Sequence, residues 1–224
     1  MTKHLFLPLI ALFFSSLALA QQPAAKEKSD PEAKKILDNI RKKYEGYKSF
    51  ELAFTLTLEV PGQAQEVQKG TTAQAGNQFR LDMDDQVIVS DGKTTWVYVK
   101  KNNEVQINDA APGDQSEFLT PKELLRRYQK GDFLYAITEK STVGGKLLTH
   151  IEFKPVSRNS EYSKIRVSVD EKALTIESIK AFAKDGSRYT FKITRLSPNK
   201  TLPADHFSFD TKKYPGVRVE DLRM

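Results

Sequence analysis

The sequence predicts a mainly β (α+β) protein: an open, incomplete antiparallel β-barrel of about ten to eleven strands with a lid of two short helices over a hydrophobic cavity. The first observation behind this is the stretch Phe50–Val60. Phe50, Leu52, Phe54, Leu56, Leu58 and Val60 alternate there with Glu51, Ala53, Thr55, Thr57 and Glu59. A period of two places the large apolar groups on one face of a strand. The second is a succession of further strand patterns broken by turn signals, with no strand alternating with a helix, which disfavours parallel βαβ units. The third is size. Some ten strands at ~4.8 Å each make a sheet about 50 Å wide. Two helices of ~10 Å diameter cover less than half of it. A sandwich needs no helical cover, whereas both helices here are amphipathic and need a sheet to sit on. A curved, incomplete barrel under a helical lid meets both demands. Its interior is either a cavity for an apolar guest or is filled by side chains, and the pattern leaves both open.

The chain has 224 residues. Met1–His4 is a short basic start, Leu5–Leu17 an apolar run, and Ala18-Leu19-Ala20 a small-x-small site. Residues 1–20 read as a secretory signal peptide cleaved after Ala20, residues 21–29 as a flexible lead-in, and residues 30–224 as a single domain. Export into the periplasm is the simplest destination, and no later stretch is long enough to cross a bilayer as a helix.

The first helix is punctuated by Asp30 as N-cap, Pro31 at the first helical position and Gly46 at the end. Ala33, Ile36, Leu37, Ile40 and Tyr44 form its apolar stripe. After Phe50–Val60 come strand patterns at Glu66–Ala75, Gln78–Met83, Val87–Val89, Thr94–Lys100 and Glu104–Asn108. Ala110–Glu117 reads as a loop. A second helix is announced by Thr120 and Glu123 as a capping box around Pro121, with Leu119 and Leu124 as staple and Gly131 as stop. Leu124, Leu125 and Tyr128 share its apolar side. Strands follow at Phe133–Thr142, Leu147–Pro155, Lys164–Val169, Thr175–Ala183 and Arg188–Leu196, then a tail with Phe207 and Phe209 and a last short strand at Val217–Val219.

Composition narrows the function classes. The formal charge is +6, but the basic residues are spread along strands and loops rather than gathered in a stripe with aromatics, and no nucleic-acid partner is expected. The absence of cysteine excludes disulfides, thiolate nucleophiles and cysteine-based metal sites. His150 and Glu152 could supply two metal ligands from one strand face, but no third is visible, so no metal is expected. His206 follows Asp205 in the tail. Asp82, Asp84 and Asp85 lack a calcium-loop pattern. Hydrolase elbows, P-loops and dinucleotide fingerprints are missing, and no catalytic residue, enzymatic activity or cofactor is expected. The aromatics are the more useful set: Trp96, the only tryptophan, with Tyr98, Phe79, Met83 and Phe54, suits either a packed core or the wall of a lipid site.

Ser90-Asp-Gly-Lys-Thr-Thr-Trp-Val-Tyr98 resembles the LolA family of periplasmic lipoprotein carriers. Ser49-Phe50-x-x-x-Phe54 is similar to the family's opening, and Phe207-Ser-Phe209 with Pro215-Gly216-Val217-x-Val219-x-Asp221 to its C-terminal segment. The resemblance implies an open barrel lidded by helices. It implies a monomeric carrier that takes acylated lipoproteins from an inner-membrane ABC release complex and hands them to an outer-membrane acceptor. The acyl-binding residues expected are Phe50, Leu52, Phe54, Leu56, Leu58, Phe79, Leu81, Met83, Trp96 and Tyr98, with Ile36, Leu37, Ile40, Leu124, Leu125 and Tyr128 on the lid. Better-known members carry a lid-holding arginine after the second strand. Gln74–Gln78 has none, Arg80 comes later, and that role is not carried over. A carrier of another lipid or glycolipid, or a lipoprotein-binding envelope-stress sensor, would share this architecture.

Overall fold

The computed structural model describes residues 28–110 and 121–223; the expected signal peptide, most of the expected lead-in and loop, and the expected capping residue Thr120 lie outside them. Helix α1 spans Pro31–Glu45. Asp30 caps it, one carboxylate oxygen accepting from the Glu32 N–H at 2.8 Å. The same residue ties the helix to the sheet: its N–H donates to the Tyr135 carbonyl at 2.8 Å, and its second carboxylate oxygen accepts from the Ile137 N–H at 3.3 Å. Gly46 closes the helix, its N–H donating to the Lys42 carbonyl at 3.1 Å. Helix α2 is Pro121–Arg127.

The strands are β1 (Ser49–Glu59), β2 (Glu66–Ala75), β3 (Gln78–Met83), β4 (Gln86–Ser90), β5 (Thr94–Val99), β6 (Glu104–Asp109), β7 (Phe133–Val143), β8 (Lys146–Pro155), β9 (Tyr162–Asp170), β10 (Thr175–Ala183), β11 (Arg188–Pro198) and β12 (Arg218–Asp221). They form one open sheet in the order β12-β6-β5-β4-β3-β2-β1-β11-β10-β9-β8-β7. Two expectations are corrected. The described residues form twelve strands rather than about ten to eleven, and β12 runs parallel to β6, so the sheet is not wholly antiparallel. Tight hairpins force antiparallel neighbours, but β12 arrives through the long segment after β11 and is free of that constraint.

Residues paired across antiparallel strands share a face. The face carrying Leu52 and Phe54 continues through Leu196 and Ile193 of β11, Ile179 and Ala181 of β10, Val167 and Ile165 of β9, and Ile151 and Phe153 of β8. This is the inner face. Its β7–β10 half is covered by the helices: Ala33, Ile36, Leu37, Ile40 and Tyr44 of α1 and Leu124, Leu125 and Tyr128 pack with Phe153, Ile165, Val167, Ile176 and Ile179 in one buried cluster. Both faces of the other end are also used. There the C-terminal segment crosses the outer face as a strap before entering β12, with Phe209, Tyr214 and Val217 against Val87, Val89 and Val105.

Candidate apolar binding face

Beyond the helices, the inner face passes onto β11, β1 and β3. Leu52, Phe54 and Met83 are buried there, and Phe50, Leu56, Leu81, Phe191, Ile193 and Leu196 pack around them half-exposed. Fully burying a side chain of this size is worth about 1.5–3 kcal/mol. A row left partly in water withholds a fraction of that, which an apolar guest would recover.

Phe54 is the pivot of this patch. Its ring stacks on Phe191 with centroids 4.5 Å apart and planes at 26°. The opposite strand slips at this point, between Ala53 and Phe54, so that Thr194 is an extra residue in β11. On the other side Phe54 pairs with Gly70. A Cβ at Gly70 would lie 2.5 Å from Phe54 Cζ and 2.7 Å from the Asp82 carbonyl oxygen. Glycine is what lets the ring lie across β2.

Of the expected lining, Phe50, Leu52, Phe54, Leu56 and Leu58 of β1 share the inner face with Phe79, Leu81 and Met83 of β3, through the β2 partners Gln74, Thr72 and Gly70. Trp96 and Tyr98 do not join them. Leu81 pairs with Ile88, and Ile88 with Val97, so Val97 takes the inner face and Trp96 and Tyr98 the outer one. Tyr98 is buried beneath the strap, its ring 5.4 Å from Phe209 and 4.6 Å from Tyr214, and Trp96 packs against the same cluster. Strand β5 is apolar on both sides, so alternation within it cannot say which side meets which cover. Phe191, Ile193, Leu196, Ile88 and Val97 are inner-face residues that were not expected. Tyr189, Phe191 and Ile193 do alternate at period two, but only the pairing with β1 puts them on this face.

The expected lid residues Ile36, Leu37, Ile40, Leu124, Leu125 and Tyr128 lie over β7–β10 rather than over β1 and β3. The helices are joined by a polar contact, the Tyr128 hydroxyl donating to the Asp38 carboxylate at 2.8 Å. Lys34 donates to the other carboxylate oxygen at 2.6 Å. These bonds, that from Lys34 foremost, hold the Asp38 carboxyl below its usual range against a partial desolvation. Arg80 takes no part in the helical cover: it lies on the outer face, bonded through Nε to Asp82 at 2.7 Å, with Nη1 3.5 Å from the His206 carbonyl beneath the strap.

The remaining polar candidates are engaged in the sheet. His150 bridges strands, its Nε2 2.6 Å from Ser141 Oγ and its Nδ1 2.9 Å from Ser168 Oγ. Glu152 accepts from Lys164 at 2.9 Å and Arg166 at 2.7 Å. Among the described residues no three His, Asp or Glu side chains gather as a metal site would require.

One sheet face is thus apolar throughout, half of it under the helices and the other half built on the buried Leu52, Phe54 and Met83 with half-buried neighbours. Residues 45–210 match the family described as outer membrane lipoprotein carrier protein LolA, and the chain belongs to that family. The chain is 27% identical over 187 residues to an uncharacterized protein of Methanocaldococcus jannaschii, an alignment covering 79% of this chain and 51% of that one. It is 30% identical over 141 residues to the outer-membrane lipoprotein carrier protein of Vibrio vulnificus, covering 62% and 64%. The chain thus spans between half and two thirds of the length of these relatives. An uncharacterized conserved protein from Thermus thermophilus shares the fold, with a TM-score of 0.56 at 10% identity over 85% of this chain and 99% of that one.

Proposed function

We propose that this chain is a non-enzymatic periplasmic carrier that shields the acyl chains of lipoproteins on the β11–β1–β3 part of its inner face. In this reading residues 1–20 direct export and are removed. The monomer then takes cargo from an inner-membrane ABC release complex and passes it to an outer-membrane acceptor. The observation that carries the reading is the half-exposed row Phe50, Leu56, Leu81, Phe191 and Ile193 in a chain of the LolA family. Each methylene moved out of water contributes about 0.8 kcal/mol, so a lipoprotein bearing long chains does not cross an aqueous compartment unaided. Shape-tolerant apolar contacts also suit a cargo that must later be released, since they hold it without a specific bonded lock.

Leu56→Glu tests this. Leu56 is half-buried between Phe191 and Gln68, where a carboxylate can reach water, so the variant should fold with an unchanged far-ultraviolet spectrum. It should nonetheless fail to extract lipoprotein from membranes. Extraction at the wild-type level by the folded variant would overturn the assignment of this face.

A further inference from the structure

The two faces of the sheet differ in charge as sharply as in hydropathy. Along β8–β11 and β1–β6 the pairing register sends the lysines and arginines, among them Lys164, Arg166, Lys180, Lys192, Lys69 and Arg80, to the outer face. The inner face of those strands holds none. Its carboxylates in the β1–β6 half stand at the corners. Glu104 is ion-paired with Arg218 of β12, and Glu66 accepts from Gln68 Nε2 at 2.6 Å. Between those corners the polar groups on the inner face are neutral. Gln68, Thr72 and Gln74 of β2 are half-buried and sit directly beside Leu56, Leu52 and Phe50. The outward residues Lys69 and Thr71 of the same strand are exposed. A row of uncharged donors and acceptors thus runs between the apolar rows of β1 and β3, and those three strands bring no lysine or arginine to this face.

We infer that the Gln68–Thr72–Gln74 row is a specificity element. It hydrogen-bonds the ester or amide carbonyls at the head of an acyl chain, and the face selects chains carried as neutral esters or amides over chains ending in a free carboxylate. This rests on the reading that acyl chains occupy the inner face. An amide NH2 or a threonine hydroxyl satisfies a carbonyl oxygen well. A carboxylate brought to the same place leaves its charge uncompensated, which is costly wherever water is displaced.

Methyl laurate and laurate, identical but for the charge, test this by displacing the neutral fluorophore 1-N-phenylnaphthylamine from the full chain at pH 8. Methyl laurate should act at a concentration at least tenfold lower. Gln68→Leu and Gln74→Leu should each weaken methyl laurate about fivefold relative to the fluorophore, the worth of one ordinary hydrogen bond. Thr72→Lys should strengthen laurate at least tenfold relative to the ester. Equal displacement by the two ligands, or glutamine variants that bind the ester as well as wild type, overturns the inference and leaves the apolar face as a binding site. Absence of any fluorophore binding to wild type overturns that reading and the inference with it. Should Thr72→Lys fail to fold, the wild-type ratio and the leucine variants decide the matter.

Discussion

Gly70→Ala is a sharp probe of the inner face, because one methyl group there meets two neighbours of different kinds. The added Cβ would sit 2.5 Å from Phe54 Cζ and 2.7 Å from the Asp82 carbonyl oxygen. The ring can tilt, but only by disturbing its stack on Phe191; the carbonyl belongs to β3, which is paired with β2. Overpacking of this kind costs about 1–3 kcal/mol. Replacing glycine within a strand returns about 0.5–1 kcal/mol of backbone entropy. Two contacts under 3.0 Å put the clash in the upper half of its range, about 2–3 kcal/mol, so the expected net is a destabilisation of about 1–2.5 kcal/mol, which in a domain of this size lowers Tm by roughly 2–10 °C. Thermal unfolding followed by circular dichroism measures it. A cycle with Phe54→Leu separates the two clashes: if the ring carries much of the cost, the Gly70→Ala penalty shrinks by at least about 0.5 kcal/mol in the Phe54→Leu background. A neutral or stabilising Gly70→Ala would refute both the placement of Phe54 over β2 and the β2–β3 register.

Three further outcomes are expected. Trp96 lies on the outer face with the strap residues, so its emission should not shift when an acyl ligand binds, whereas Tyr214→Ala should move it to the red; a ligand-induced shift of the tryptophan band would place that residue at the site after all. Tyr128→Phe removes the hydroxyl that bonds Asp38 and should cost about 1 kcal/mol in a denaturant titration. Because the folded Asp38 carboxyl is held low, chiefly by Lys34, its contribution is present above the unfolded aspartate value of about 3.9 and is lost as pH falls through the lower folded value. Asp38→Asn should therefore flatten the acid side of the stability curve, and an unchanged acid limb would count against that ion pair.

Much of the fold was legible because its signals are local. Asp30, Pro31 and Gly46 mark α1, since capping geometry depends on a few adjacent residues. The strand β1 was equally plain, because apolar and polar or small residues alternate without a break from Phe50 to Val60. The candidate site was legible only where strands have such a one-sided pattern, as in Leu52, Phe54, Leu81 and Met83. In β5 Trp96, Val97, Tyr98 and Val99 offer an apolar group to both sides, and the pair expected beside Phe54, Trp96 and Tyr98, lies on the outer face. The partners Phe191 and Ile193 come from a strand more than a hundred residues away from β1 in sequence, a proximity that no local period encodes.

By itself the sequence determined the class of the fold, the start and end of most elements, and an amphipathic strand too long and too greasy to be left in water. Only the tertiary structure decided which half of the sheet the helices cover, which side of β5 is sealed by the C-terminal strap, and which charges share a face with the apolar row. Those outcomes depend on strand register, and a single-residue slip in pairing sends every side chain of a strand to the opposite face.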